Sequence, residues 1–222
     1  MSLFSPTLHY FDCRGLAETT RYMFAIKRTP YEDHRFPFTF GTPGDFTTIQ
    51  RPEFDDAQAR GEFSAGMDKV PILEVHGTRI AQSKAVERFV AKKLGMFGQG
   101  PLEEAQIDMV CEHVRDIKDA YQKVKRTEGE EERKRALDQW FQETLPKYSE
   151  KLERALPPCV ATCTPLNVAH VTLYNFYTWF FDRKEDALNA ILTCNTLRSI
   201  QQHVANLPEV QKWEEVRGVS PF

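Results

Sequence analysis

The stretch MDKVPILEVHGTRIAQSKAVERFVA, residues 67–91, decides the fold. Pro71 lacks an N–H and opens the apolar run Ile72, Leu73, Val75, which places it at the unpaired entrance of a strand. The backbone groups of Val70, just outside that strand, are left to pair with something extended. His76-Gly77 is a turn signal, so Pro71–Val75 and Arg79–Ala81 read as a hairpin. Ser83 then reads as the N-cap of a helix whose apolar positions Val86, Phe89, Val90 and Leu94 recur at helical spacing and stop at Gly95. A helix start presents N–H groups that suit a carboxylate or phosphate. This stretch therefore offers an edge for a peptide backbone and, beside it, a seat for an anion.

Upstream, TLHYF (7–11) reads as a first strand. Arg14 to Arg28 reads as a helix burying Leu16, Ala17, Tyr22 and Phe24–Ile26, and Pro30 ends it. A second strand over 31–36 completes β-α-β, which predicts a parallel pair with a right-handed crossover. Pro37, Gly41, Pro43, Gly44 and Pro52 make the following segment a long loop. A short helix over Glu53–Arg60 leads to Gly61 and Gly66. Loops this long are functional or mobile more often than not. The order is β-α-β-α-β-β-α.

Downstream, Gly95 to Pro101 is the clearest boundary, dividing a domain over 1–95 from a helical one over 101–222. In the first long helix Leu102, Ala105, Met109, Ile117, Ala120 and Val124 form an apolar stripe. Asp108, Glu112, Arg115 and Asp119 form a charged one that faces a wet cleft or a partner. EGEEERKR (128–135) is a solvated helix start with acids first and bases later. A helix over Lys134–Leu156 ends at Pro157-Pro158. Asn167 caps the next helix, with Leu166 against Val171 as a staple. LYNFYTWFF (173–181) carries six aromatics in nine positions and suits a central, fully buried helix. Helices over Asp186–Ala205 and Glu209–Val216 follow.

Composition narrows the classes. Among 222 residues, 41% are hydrophobic and 12% aromatic, which describes a packed core. A net charge of −3 gives no basic field for nucleic acid. The start of the chain carries no charged segment leading into an apolar one, and no apolar run reaches the roughly 18 residues of a membrane span, so a soluble cytoplasmic protein is expected. The five cysteines are too scattered for a disulfide framework, and neither they nor the six histidines make a metal-ligand set, so no metal is expected.

Taken in order, LHYFDCRGLAETTRYMFA, PYEDHRF, KVPILEV and AQSKAVERFVAKKLG followed by an all-helical half resemble the cytosolic glutathione transferases of tyrosine type, most like the sigma class that includes glutathione-dependent prostaglandin D synthases. The resemblance covers essentially the whole chain. It implies an α/β thioredoxin-like N-terminal domain that binds glutathione and an all-α C-terminal domain that contributes the acceptor pocket, in a cytoplasmic homodimer serving detoxification. Tyr10 would activate glutathione by donating a hydrogen bond to sulfur, since only the thiolate is a good nucleophile and a free thiol titrates near about 8.5. Arg14 would add positive charge there. Val70, before a cis Pro71, would pair with the cysteinyl backbone. Gln82 and Ser83 would hold the γ-glutamyl carboxylate, and Lys69 the glycine carboxylate. Glu112 of the partner subunit, with Asp108 as the other candidate, would meet the γ-glutamyl amine. Phe11, Arg14, the helix face near Arg115 and Asp119, and the C-terminal tail would line the acceptor pocket. Glutathione is then a substrate, alongside apolar electrophiles.

Two departures stand out. The segment between the second strand and Lys69 is longer than in typical sigma members, and Phe54 and Gln58 occupy the positions where the family places a Trp and a Lys. Asn167 and His170 replace the family's Ser or Thr and Asp in a capping box, and a neutral His is expected to be the poorer acceptor, at a cost to folding. Other functions stay open: a glutathione-dependent isomerase, a thiol transferase using Cys13, and a glutathione-binding protein without turnover.

Overall fold

The computed structural model describes residues 4–42 and 46–217. Two compact units emerge: one holds the described residues up to Val90 together with those from Trp213, the other Ala91–Lys212.

In the first unit β1 (Thr7–Phe11) alternates, with Leu8 and Tyr10 buried. A 3-10 turn, Gly15–Ala17, leads into α1 (Glu18–Ile26), so the first turn of the expected helix is wound more tightly. β2 (Glu32–Phe36) runs parallel to β1, with Tyr10 opposite Arg35. The stretch expected to be a loop is partly ordered: β3 (Thr39–Phe40) pairs with β4 (Ile49–Gln50) as a two-stranded ribbon ahead of α2 (Pro52–Ala59). Pro43 and Gly44 lie outside the described residues. Then β5 (Ile72–Val75) and β6 (Thr78–Ala81) form the hairpin, and α3 (Ser83–Lys93) follows. The sheet order is β2-β1-β5-β6, with β5 antiparallel to both neighbours.

The covering of this sheet explains α2. Phe54 and Ala57 join Phe36, Phe63 and Ile72 in one cluster, against which Phe11, Val70 and Ala81 pack. Phe54 and Phe63 stack at 4.9 Å. Burial of this size is worth about 3–5 kcal/mol on truncation of a single Phe, enough to hold a short helix of weak intrinsic propensity. The last described residues return to α1: Trp213 Nε1 donates to Glu18 at 3.0 Å, Tyr22 pairs with Glu214 at 2.6 Å, and Arg217 lies 3.2 Å from Glu18.

The second unit is helical. α4 (Pro101–Lys125) buries Ile107, Val110, Cys111, Val114, Ile117 and Tyr121. The expected apolar stripe was therefore out of phase: Leu102 and Met109 are exposed at 76% and 39%, and of that set only Ile117 is fully buried. α5 (Glu130–Gln139), a π-helical turn (Trp140–Thr144) and α6 (Leu145–Ala155) make one continuous run, and α7 (Pro158–Ala161) follows the proline pair. α8 (Val168–Asn175) buries every residue and passes through a second π turn, Phe176–Phe180. The expected single helix over 186–205 is two, α9 (Lys184–Asn189) and α10 (Asn195–Ala205), before α11 (Pro208–Val216). α10 can begin inside that span because the Glu153 carboxylate accepts from Thr196 N–H at 2.8 Å and Leu197 N–H at 2.9 Å.

At the head of α8 the capping box is complete. Ala169 N–H donates to Asn167 Oδ1 at 3.1 Å, and Asn167 N–H donates to His170 Nδ1 at 2.9 Å. Because Nδ1 accepts, the ring proton sits on Nε2, which donates to the Val160 carbonyl at 2.9 Å.

Candidate active site

Three strand ends converge on one edge of the first unit's sheet. His9 pairs with Ile72, and Ile72 with Ala81. Tyr10 follows His9, Pro71 precedes Ile72 and Gln82 follows Ala81, so these three residues lie at the same end of the sheet. Of the sequence-predicted residues of this unit, Tyr10 and Phe11 stand at the end of β1, Val70 and Pro71 just before β5, and Gln82 and Ser83 just after β6.

Tyr10 is 8% exposed, and its hydroxyl oxygen accepts from Leu16 N–H at 3.0 Å. Burial pushes its pKa up to about 12, so the phenol stays neutral and keeps a proton to donate. Its position depends on Gly15, which sequence reasoning passed over. Gly15 has φ +43°, and a Cβ there would stand 2.4 Å from the Tyr10 oxygen. Arg21, also unforeseen, lies 5.8 Å from the Tyr10 ring centroid and donates to the carbonyls of Cys13 and Phe11. Its own charge is balanced by Glu18 and Asp33. Cys13, the rival nucleophile, is pushed by burial up to about 11, so it stays a thiol and is poorly reactive.

Opposite Tyr10, the Val70–Pro71 bond is cis, and Val70 lies outside the ladder that begins at Ile72. Met67 and Asp68 both take left-handed φ, 51° and 61°, turning the chain into Lys69 and Val70. Helix α3 begins one residue earlier than a Ser83 N-cap requires: Ser83 is its first helical residue, and Gln82 occupies the cap with φ 72°, its carbonyl accepting from Val86 N–H at 2.9 Å. A non-glycine residue held there is uncommon and costs of order 1–3 kcal/mol.

The remaining assignments fare differently. Lys69 is exposed. Phe54 belongs to the core, and Gln58 is tied by its amide to the Asp68 carbonyl at 2.9 Å, so neither stands ready for a ligand. Arg51 is a further cation of this unit, its guanidinium lying over Phe54 at 4.7 Å and Phe11 at 5.8 Å while pairing with Asp55. Arg14 lies on the wall of a cavity with Arg21 and Arg35. Asp108, Glu112, Arg115 and Asp119 belong to α4 in the other unit, where Glu112 pairs with Arg115 and Asp119 is exposed. Among the described residues no cluster of His, Cys, Asp or Glu could hold a metal ion, and no helix is long and apolar enough to cross a membrane.

No family model matches the chain. Among curated proteins it is 31% identical over 227 residues to glutathione S-transferase 3 of Caenorhabditis elegans, covering 97% of this chain and 98% of that protein. It is 29% identical over 225 residues to glutathione S-transferase S1 of Drosophila melanogaster, covering 97% and 80%. Among solved structures, the prostaglandin synthase D of Nilaparvata lugens superposes with a TM-score of 0.75 over 97% of this chain and all of that one, at 23% identity, which speaks to the fold. With a neutral tyrosine at the end of β1 and a cis proline before β5, and with this likeness over nearly its whole length, the chain belongs to the glutathione S-transferase family.

Proposed function

We propose that the protein conjugates glutathione to electrophilic apolar substrates, with Tyr10 as the catalytic residue. The observation that carries this is the state of the Tyr10 hydroxyl: buried, neutral, and oriented by an N–H that uses its oxygen and leaves its proton to donate. A sulfur placed against that proton is stabilised as thiolate, the thiol proton leaves to solvent, and the thiolate attacks the electrophilic carbon. Arg14 adds positive charge. Val70 takes the cysteinyl backbone beside cis Pro71, Gln82 and Ser83 take the γ-glutamyl carboxylate at the start of α3, and Lys69 takes the glycine carboxylate. Residues 1–95 are the glutathione-binding domain, with Phe11 toward the acceptor, and 101–222 supply the further acceptor contacts, Arg115 and Asp119 among them. A cytoplasmic homodimer of the sigma type, acting in detoxification, completes the reading. The exposed Leu102 and Met109 on α4 support a partner subunit, whose Glu112 or Asp108 would meet the γ-glutamyl amine.

Tyr10→Phe tests the role. A hydrogen bond to a charged group is worth about 1.5–3 kcal/mol, so conjugation of chlorodinitrobenzene should fall roughly 10- to 100-fold. The pKa of bound glutathione should rise by about one to two units, while glutathione affinity stays nearly constant. Unchanged turnover would remove Tyr10 from the mechanism. Glutathione binding without turnover of any electrophile in the wild type would favour the binding protein.

A further inference from the structure

An unusual turn lies just ahead of Val70. Met67 and Asp68, with φ 51° and 61°, are the only adjacent non-glycine residues with left-handed φ among the described residues. That conformation is unfavourable for a residue with a Cβ and persists only where the surroundings over-determine it. Packing of their own side chains does not provide the constraint, since Met67 is 79% exposed and Asp68 is exposed as well. The backbone provides part of it. Met67 N–H donates to the Ser64 carbonyl at 3.1 Å, Asp68 N–H to that of Phe63 at 3.0 Å, and Lys69 N–H to that of Gly66 at 3.1 Å. Two of these acceptors are anchored in turn. Phe63 belongs to the cluster with Phe54, and Gly66 lies so close to the hairpin that a Cβ there would meet Ile72 at 3.3 Å and Ala81 at 3.4 Å.

The remaining hold comes from a side chain. Gln58, in the last turn of α2, donates from Nε2 to the Asp68 carbonyl at 2.9 Å. A peptide unit is planar, so the Asp68 carbonyl and the Lys69 N–H move as one. Gln58 holds one edge of that plane and the Gly66 carbonyl the other. Rotation of the plane changes ψ of Asp68 and φ of Lys69, and with them the direction in which the chain enters Val70. The left-handed strain at Asp68 favours such a rotation, and the Gln58 bond opposes it.

We propose that Gln58 is a positioning residue for glutathione, which keeps the Asp68–Lys69 peptide in place and so presents the Val70 backbone to the cysteinyl part of the ligand. This rests on the reading of Val70 given above. Gln58 acts through the turn and not on the ligand itself.

The test is calorimetric titration of the full chain with S-methylglutathione and with S-methyl-γ-glutamylcysteine, which lacks the glycine, alongside steady-state kinetics. Alanine is a strong helix former, so Gln58→Ala keeps α2. This variant should bind both ligands roughly 3- to 10-fold more weakly, the range of one hydrogen bond. KM for glutathione should rise by the same factor while kcat stays within about twofold, because Tyr10 is untouched. Glycine takes left-handed φ freely, so Asp68→Gly removes the strain that Gln58 opposes. In that background, adding Gln58→Ala should change affinity by less than about twofold. An equal loss in both backgrounds would overturn the proposal, as the mark of a merely structural role. Unchanged affinity in Gln58→Ala would overturn it too, as would a fall in kcat with KM unchanged. A loss confined to S-methylglutathione would place Gln58 at the glycine end and have the same result. Failure of the wild type to bind S-methylglutathione at all would overturn the reading of Val70, and this proposal with it.

Discussion

Two helix starts in this protein have opposite fates. At α8 the chain supplies its own acceptors: Asn167 Oδ1 takes an N–H of the first turn, His170 Nδ1 takes the cap N–H, and Asn167 Nδ2 donates to the Cys159 carbonyl at 2.8 Å. All of it is buried, with Asn167 at 4% exposure and His170 at 0%. At α3 the cap residue Gln82 is exposed in a left-handed conformation, and the first turn carries no acid. The difference teaches how to tell a structural helix start from a binding one. The first is closed by acceptors of its own, and the second carries no acid in its first turn, which suits the ligand carboxylate proposed for it. Histidine also does at α8 what a carboxylate could not, since Nε2 donates to Val160 while Nδ1 accepts. The expected folding penalty for replacing an acid there is met by a bond the acid cannot make.

The largest effect should come from breaking the closed start. His170→Ala leaves the Asn167 N–H and the Val160 carbonyl buried without partners and opens a void, at a cost of about 2–4 kcal/mol. The urea midpoint should fall with an unchanged slope, and glutathione affinity of the folded protein should not move. A loss below about 1 kcal/mol would mean the box is idle.

Closing the open start should give the next effect, with the opposite division. Ser83→Asp places an acid in the first turn of α3, which stabilises the helix by about 0.3–1 kcal/mol. The same carboxylate repels the γ-glutamyl carboxylate, and glutathione affinity should fall by roughly tenfold or more at low salt. Titration of glutathione alongside thermal unfolding reads both. Unchanged affinity would move the anion seat away from α3.

Much of this contrast was legible in the sequence, and the reasons for the misses are physical. Pro71, His76-Gly77 and the Val86–Leu94 periodicity carry local signals, so the hairpin and helix followed from residues 67–91 alone. The cap moved from Ser83 to Gln82 because a left-handed φ at a glutamine leaves no trace in composition. The face of α4 was misjudged because Leu102 and Met109 are apolar yet exposed, while Cys111 and Tyr121 serve as core. The ribbon of β3 and β4 escaped because two-residue strands lie below any periodicity. Around Tyr10 the motif was visible, but its supports were not: Gly15 matters for a close approach and Arg21 for a contact beneath the ring, both made only in three dimensions.

The smallest effect is the pH dependence of the closed start. Burial is the main cause that lowers the His170 pKa below 6.5, with His203 acting in the same direction and the backbone bonds to Val160, Thr162 and Asn167 opposing. The folded protein therefore holds the ring neutral while the unfolded chain takes up a proton near about 6.5. The stability this provides is complete above that pH and is lost as pH falls from there toward the lowered value, because the unfolded state binds more protons across the interval. The slope is at most about 1.4 kcal/mol per pH unit for one group. His9, also lowered chiefly by burial, adds a term of the same sign. Comparing wild type with His170→Gln isolates the box, since His9 contributes equally to both. Urea midpoints measured from pH 7.5 down to pH 5 should converge, the wild type losing its advantage as the histidine charges. Parallel midpoints across that range would show that the ring at α8 is not held neutral by the fold, and that the two helix starts differ in shape but not in how tightly each is committed.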